Sequence, residues 1–248
     1  MDDLIFYNKE FERAVRDELL IYDRPVTKED ALSLTDLDCT YFVFSPEDFE
    51  TMSAFENIVI LDIIVENGNM PFLEKMKKLY SLDVECIGKD FDCYFISLAK
   101  NLDTLTITGS DEHFFNLYNV DVLSDLKKLQ YLTFRKIDTL DLEVFNKMPQ
   151  LKIFDCGYVK KFSNIKSISS LRKLQVLNLI SVSVNNVDFV DGLSDKLWLY
   201  LSDVEIKDMI DINMFKRFNR CCAHYCIING KSADFEIERD IETQSTLK

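Results

Sequence analysis

One apolar rhythm constrains this chain more than any other feature: apolar, two residues, apolar, two residues, apolar, one residue, apolar. It reads Phe55-x-x-Ile58-x-x-Leu61-x-Ile63 and returns as Met76-x-x-Leu79-x-x-Leu82-x-Val84. Further copies are Leu102-x-x-Leu105-x-Ile107 and Leu126-x-x-Leu129-x-x-Leu132-x-Phe134. Then come Met148-x-x-Leu151-x-x-Phe154-x-Cys156, Leu171-x-x-Leu174-x-x-Leu177-x-Leu179 and a shortened Leu197-x-Leu199-x-Leu201. The aligned positions Leu61, Leu82, Leu105, Leu132, Phe154, Leu177 and Leu199 are separated by 21, 23, 27, 22, 23 and 22 residues. Chance does not hold such a period through six intervals, and a period of this size marks a repeat architecture. Within each unit the rhythm changes from three to two. Spacing of three suits a helical turn; spacing of two suits a strand. Neither element can bury its apolar side alone, so the units must stack into one continuous core.

The residues that carry this pattern resemble the leucine-rich-repeat family, in its bacterial internalin-like branch with units near 22 residues. The N-terminal segment adds to the likeness. Asn8 to Ile21 reads as an amphipathic helix with Phe11, Ala14, Val15 and Leu19 on one side. Thr27-Lys28-Glu29-Asp30 reads as a helix start, with an N-cap hydroxyl and a carboxylate three residues on. Leu34 to Cys39 reads as the first strand. The resemblance covers about residues 6 to 205. It implies an α/β solenoid: a concave parallel sheet, helices or short helical turns on the convex face, and a helical N-terminal cap. The chain then divides into a cap and first degenerate repeat (1–45), the repeats (46–216), and a C-terminal cap and tail (217–248). One departure stands out. The family carries asparagine three residues after the last strand leucine; here Glu66, Ile87, Ser110, Ile137, Val159 and Val182 occupy that place. The turn after each strand must be built differently, by apolar packing.

Between strands, helical connections are expected. Ser45-Pro46-Glu47-Asp48 reads as an N-cap, a first-turn proline and acids at the positive helix end. Lysine or arginine recurs just before each strand, at Lys77-Lys78, Lys100, Lys127-Lys128, Arg172-Lys173 and Lys196. The expectation is that these cations complement the ends of the connecting helices. The 27-residue unit carries Gly109-Ser110-Asp111-Glu112-His113, which reads as a tolerated loop insertion.

In a strand reading L-x-L the leucines point inward and the residues between them point out. Stacking sets the outward residues side by side in rows. The middle row is Asp38, Asp62, Asp83, Thr106, Thr133, Asp155, Asn178. The row before it is Asp36, Ile60, Ser81, Thr104, Tyr131, Ile153, Val176, Trp198, and the row after it is Thr40, Ile64, Glu85, Thr108, Arg135, Gly157, Ile180. Carboxylates gather toward the N-terminal half; aromatic and apolar residues gather toward the C-terminal half. An acidic arm beside an apolar arm fits a basic protein partner, and aromatic residues are the usual interface anchors. The expected partner site is Asp36, Asp38, Asp62, Asp83, Glu85, Tyr131, Arg135, Asp155, Asn178, Trp198 and Tyr200. A narrower expectation is an immunity- or antitoxin-like inhibitor. The internalin likeness offers the alternative of a cell-surface adhesin.

Composition narrows the field. A net charge of −14 repels nucleic acid and anionic membranes, so neither is expected as a partner. No run approaches the 18 apolar residues of a membrane span, and the acidic start lacks a leader's basic region. Seven cysteines at irregular spacing do not form a secreted disulfide framework. A reducing, cytoplasmic setting and a monomer are expected. Catalysis is not: the chain has two histidines, His113 and His224, and neither a nucleophile elbow, a Gly-rich phosphate loop nor a zinc-protease motif. No cofactor or metal is expected either. The cluster Cys221-Cys222-Ala-His224-Tyr-Cys226 crowds its donors into six residues, too tight for one tetrahedral ion. Cys222 and Cys226 are expected to alternate into the core of a last strand, as are Cys39 and Cys156.

Overall fold

The structure, a computed structural model, describes residues 2–110 and 113–238. Asp111 and Glu112 of the expected loop, and residues 239–248 of the expected C-terminal tail, lie outside the described residues. In chain order the strands are β1 (Asp36–Phe44), β2 (Ile60–Val65), β3 (Ser81–Cys86), β4 (Asp90–Asp92), β5 (Thr104–Gly109), β6 (Asn116–Tyr118), β7 (Tyr131–Asp141), β8 (Ile153–Ser163), β9 (Val176–Val184), β10 (Trp198–Ile206), β11 (Arg220–Ile228) and β12 (Lys231–Glu238). Ten of them form one sheet in the order β1-β2-β3-β5-β7-β8-β9-β10-β11-β12, and β4 pairs with β6 in a second small sheet. Every neighbouring pair of the large sheet is parallel except β11 and β12.

The inward column is as the rhythm requires. Leu61, Leu82, Leu105, Leu132, Phe154, Leu177 and Leu199 are all fully buried and face one another in register. Burying one such side chain contributes about 1.5–3 kcal/mol, so the column alone commits the chain to this stack. The connections are shorter than helices. Seven of them contain a short 3₁₀ stretch: Pro71–Glu74, Cys93–Leu98, Val120–Asp125, Glu143–Lys147, Ile165–Ser170, Asp188–Val190 and Ile212–Arg217. The lysine pairs 77–78 and 127–128 fall beyond the ends of those turns, where no long helix dipole exists to complement. The helix-end explanation holds for Lys127, whose Nζ donates to the Ser124 carbonyl at the end of Val120–Asp125, and not for Lys128, which donates to Asn101.

The N-terminal cap follows its local code. Helix α1 (Lys9–Leu19) is capped by Asn8, whose side chain accepts from the backbone N–H of Glu10 and Phe11. Phe11 and Val15 are fully buried, and the Phe11 ring meets Phe42, Phe44 and Phe55. The cap thus closes the core's open end against β1. Thr27 and Asp30 form a reciprocal capping box over the short helix α2 (Lys28–Ala31). The start of helix α3 (Asp48–Met52) differs from expectation. Ser45 does not cap it; its N–H and hydroxyl both donate to the buried Asp48 carboxylate, at 3.0 and 2.9 Å.

The strand ends show how the missing asparagine ladder is replaced. In the C-terminal half, Lys136, Tyr158, Ser181, Asp203 and Tyr225 all have a left-handed backbone, with φ between 49° and 62°. Register places them at one corner of successive repeats. The bend turns the next residue inward, and Ile137, Val159, Val182, Val204 and Cys226 are buried there. The strand then continues along a second leg. The insertion in the long unit is also more than a loop. Phe115 is fully buried and bridges to Ile137, and β6 extends the side sheet, so the loop-only expectation is corrected.

Two expectations on cysteine divide. Cys39, Cys156 and Cys226 are buried inward. Cys222 instead pairs in register with Tyr200 on the outward side of the sheet, while Cys221 takes the inward place opposite Leu199. The strand starts one residue later in phase than the Cys222–Cys226 alternation assumed, and the left-handed Tyr225 restores Cys226 to the core.

Candidate protein-binding face

Register on the sheet's open side fixes the rows. The first runs Asp36, Ile60, Ser81, Thr104, Tyr131, Ile153, Val176, Trp198 and on to Arg220. The middle row runs Asp38, Asp62, Asp83, Thr106, Thr133, Asp155, Asn178, Tyr200, Cys222. In the third row a bulge in β1 places Val43, not Thr40, opposite Ile64. Glu85, Thr108, Arg135, Gly157, Ile180, Ser202 and His224 follow.

The acidic arm is built from adjacent carboxylates about one strand spacing, ~4.8 Å, apart. Asp36 accepts from the Thr35 hydroxyl at 2.6 Å, and Asp38 accepts from the Thr40 N–H and hydroxyl at 2.9 and 2.7 Å. Asp62, Asp83 and Glu85 have no hydrogen bond or ion pair among the described residues; Asp62 pairs in register with Asp83, and Glu85 stands two residues on along β3, opposite Ile64. Partial burial holds the Asp62 carboxyl above its usual range, with Asp38 adding to it. Asp83 keeps solvent along its outer edge, yet desolvation by the sheet, then Asp62 and Glu85, push its carboxyl up to about 6. Like charges opposed across strands are destabilising, and among the described residues no cation pairs with Asp62 or Asp83.

The middle of the face behaves otherwise. Arg135 Nη2 donates to Asp155 Oδ1 at 2.5 Å, and Asn178 Nδ2 donates to Asp155 Oδ2 at 2.8 Å. Gly157 leaves this pair room: a Cβ there would stand 2.7 Å from Arg135 Nη1. Arg135, Asp155 and Asn178 therefore satisfy one another and form a bound partition between the two arms. Beyond it lies the apolar arm. Tyr131 and Trp198 are 36% and 45% exposed, with Ile153, Val176 and Tyr200 half-buried between and beside them.

Three residues of β11 extend the face and were missed from the sequence. Arg220 is paired with Glu236, and His224 Nδ1 lies 3.0 Å from Asp234 Oδ1, both acids coming from β12. The signal was the period itself: Cys221 follows Leu199 by 22 residues, with cysteine and alanine in the leucine places.

The stacked leucine column, the parallel sheet and the short connections define a leucine-rich-repeat solenoid. No protein-family model matches the chain, and no curated protein matches it in sequence. In fold the chain is internalin-like. Internalin C2 of Listeria monocytogenes superposes with a TM-score of 0.63 at 17% identity, over 84% of this chain and 88% of that one. Listeria monocytogenes InlP superposes with a TM-score of 0.56 at 16% identity, over 90% of this chain and 65% of that one. The mouse RP105/MD-1 complex contains a further similar chain, with a TM-score of 0.55 at 14% identity, over 88% of this chain and 46% of that one. At such identities the shared property is the fold.

Proposed function

We propose that the chain is a protein-interaction module whose open sheet face binds a basic protein. Asp62, Asp83 and Glu85 meet the partner's cations, and Tyr131, Trp198 and Tyr200 seat an apolar flank. The observation that carries this reading is the in-register pair Asp62 and Asp83, with Glu85 two residues on along β3, all three without a partner among the described residues. A row that strains the free protein is relieved when a cation arrives. The fold's solved neighbours support a binding role over a catalytic one: one of them is a chain of the mouse RP105/MD-1 complex. In its narrower form the proposal is an inhibitor of the immunity or antitoxin kind, which needs only one such face. Seven buried, unbridged thiols support a reducing compartment for it.

The test is recovery of a partner from the native host with immobilised protein, followed by calorimetry on the purified pair. A basic partner should be retained. Asp62→Lys with Asp83→Lys should weaken it at least tenfold and flatten its salt dependence, and Trp198→Ala should cost about 2 kcal/mol. Affinity should also rise with pH through about 6, as Asp83 loses its proton. Equal retention by the charge-reversed protein would discard the acidic arm as the binding element.

A further inference from the structure

A chain with 43 acids and 29 lysines and arginines nevertheless gathers six lysines around one groove. Lys77, Lys78, Lys127, Lys128, Lys152 and Lys173 line a trough of about 830 Å³ at the starts of β3, β5, β7, β8 and β9. None of the six lies in an ion pair among the described residues. Two of them rest on neutral oxygens: Lys127 Nζ donates to the Ser124 carbonyl at 2.5 Å, and Lys128 Nζ donates to Asn101 Oδ1 at 2.6 Å. The lining holds one acid, the buried Asp103, against these six cations, and Lys127 alone of them meets a carbonyl at the end of a 3₁₀ turn.

The groove has a period. Lys78, Asn101, Lys128, Gln150 and Lys173 each stand immediately before an inward leucine of successive repeats. Cations thus recur at every second repeat, roughly 10 Å apart by strand spacing, with an amide at each repeat between. An extended polypeptide in polyproline II form advances about 3.1 Å per residue and turns once in three, so every third side chain faces the same side and falls in step.

The floor selects the ligand's chemistry. Gln150 Nε2 donates to the Leu126 carbonyl at 3.0 Å, and Gln130 Nε2 donates to the buried Asp103 carboxylate. Both glutamine Oε1 atoms are left without a donor among the described residues. Free acceptors beneath a row of cations suit a chain that carries N–H groups as well as negative charge. A phosphodiester backbone has no such donor. The groove also offers no arginine fork for a phosphate, and one aromatic, Tyr80, where a nucleic-acid strand needs successive stacking platforms. We propose that this groove is a second binding site, distinct from the open sheet face, which takes an acidic segment of a polypeptide in extended form across the middle repeats.

The probe is a labelled twelve-residue peptide with glutamate at every third position, measured by fluorescence anisotropy at low salt. A glutamine-substituted peptide and a twelve-nucleotide oligothymidylate are measured beside it. The glutamate peptide should bind saturably and weaken with salt. Lys78→Glu, Lys128→Glu and Lys173→Glu together should cost at least tenfold in affinity. Lys207→Glu, Lys216→Glu and Lys231→Glu, exposed positions outside the groove, change net charge equally and should leave most of the binding. Asp62→Asn with Asp83→Asn should not weaken it, which separates this site from the sheet face. Lys78→Gln, Lys128→Gln and Lys173→Gln provide the milder replacement should the reversals unfold the protein. Absence of saturable binding to the native protein overturns the proposal, as do equal binding of the glutamine peptide, tighter binding of the oligonucleotide, or equal losses in the groove and control triples.

Discussion

The two arms of the solenoid share one interior and differ in nearly everything else. In the N-terminal arm, β2, β3 and β5 are six residues long, and the chain leaves each strand by close backbone approach. A Cβ on Gly88 would stand 1.9 Å from the Glu66 carbonyl oxygen, and one on Gly68 would stand 1.8 Å from that of Asp92. In the C-terminal arm, strands of nine to eleven residues bend at a left-handed residue and run on. Charge is treated as differently as the corners are. Asp62 and Asp83 stand bare, whereas Asp155 is held by Arg135 and Asn178. Interior stacking therefore fixes the repeat but leaves both the corner and the open face free to diverge.

If the interior is common to both arms, Leu105→Ala and Leu177→Ala should each cost about 2–5 kcal/mol in denaturant unfolding; a large gap between them would break the comparison at its base. The corners should then separate the arms. Gly88→Ala should cost about 1–3 kcal/mol, since backbone must shift to admit the methyl, whereas Tyr225→Gly should stabilise by about 1 kcal/mol by relieving a left-handed residue. The faces should separate them by sign. Asp155→Asn should destabilise by about 1–3 kcal/mol through its lost charged hydrogen bonds, whereas Asp62→Asn should stabilise by about 0.2–1 kcal/mol.

The smallest effect is in pH. Asp83 holds its proton more tightly folded, with its carboxyl pushed up to about 6, than in an unfolded chain, where about 3.9 is usual. The native state then binds more protons between those values, so stability should fall as pH rises from about 4 to 6 and level off above. Solvent along the Asp83 edge keeps this slope shallow. Asp83→Asn should remove it in a pH series of unfolding midpoints, and an unchanged slope would assign it elsewhere.

The leucine column and the three open rows were legible because a two-residue strand period forces alternate side chains to opposite faces. Even the register from Asp36 to Trp198 could be read by aligning units. The corners could not. Lys136, Tyr158, Ser181, Asp203 and Tyr225 share a backbone conformation but no chemistry, and none is the glycine or asparagine that advertises it. The Thr40 assignment failed for a related reason: a bulge adds residues to β1 without marking the sequence. The Arg135–Asp155 pair lies against the bare backbone of Gly157 in the next repeat, a relation between units that no single unit displays. Strand β12 was legible only as a polar cap. Its inward residues, Ala233, Phe235 and Ile237, are half-buried, so its alternation is faint.

Strand β12 has a further consequence. A solenoid of parallel repeats has no inherent length, because each finished unit presents the same template for the next. By folding back antiparallel on β11, β12 reverses the chain's direction at the final rung. It also lines that rung with Lys231, Asp234, Glu236 and Glu238. A further unit running as the repeats do meets a reversed strand and a fringe of charge, and charge is one way sheet edges are protected. Stacking of another parallel unit against β12 is thereby opposed by both geometry and electrostatics.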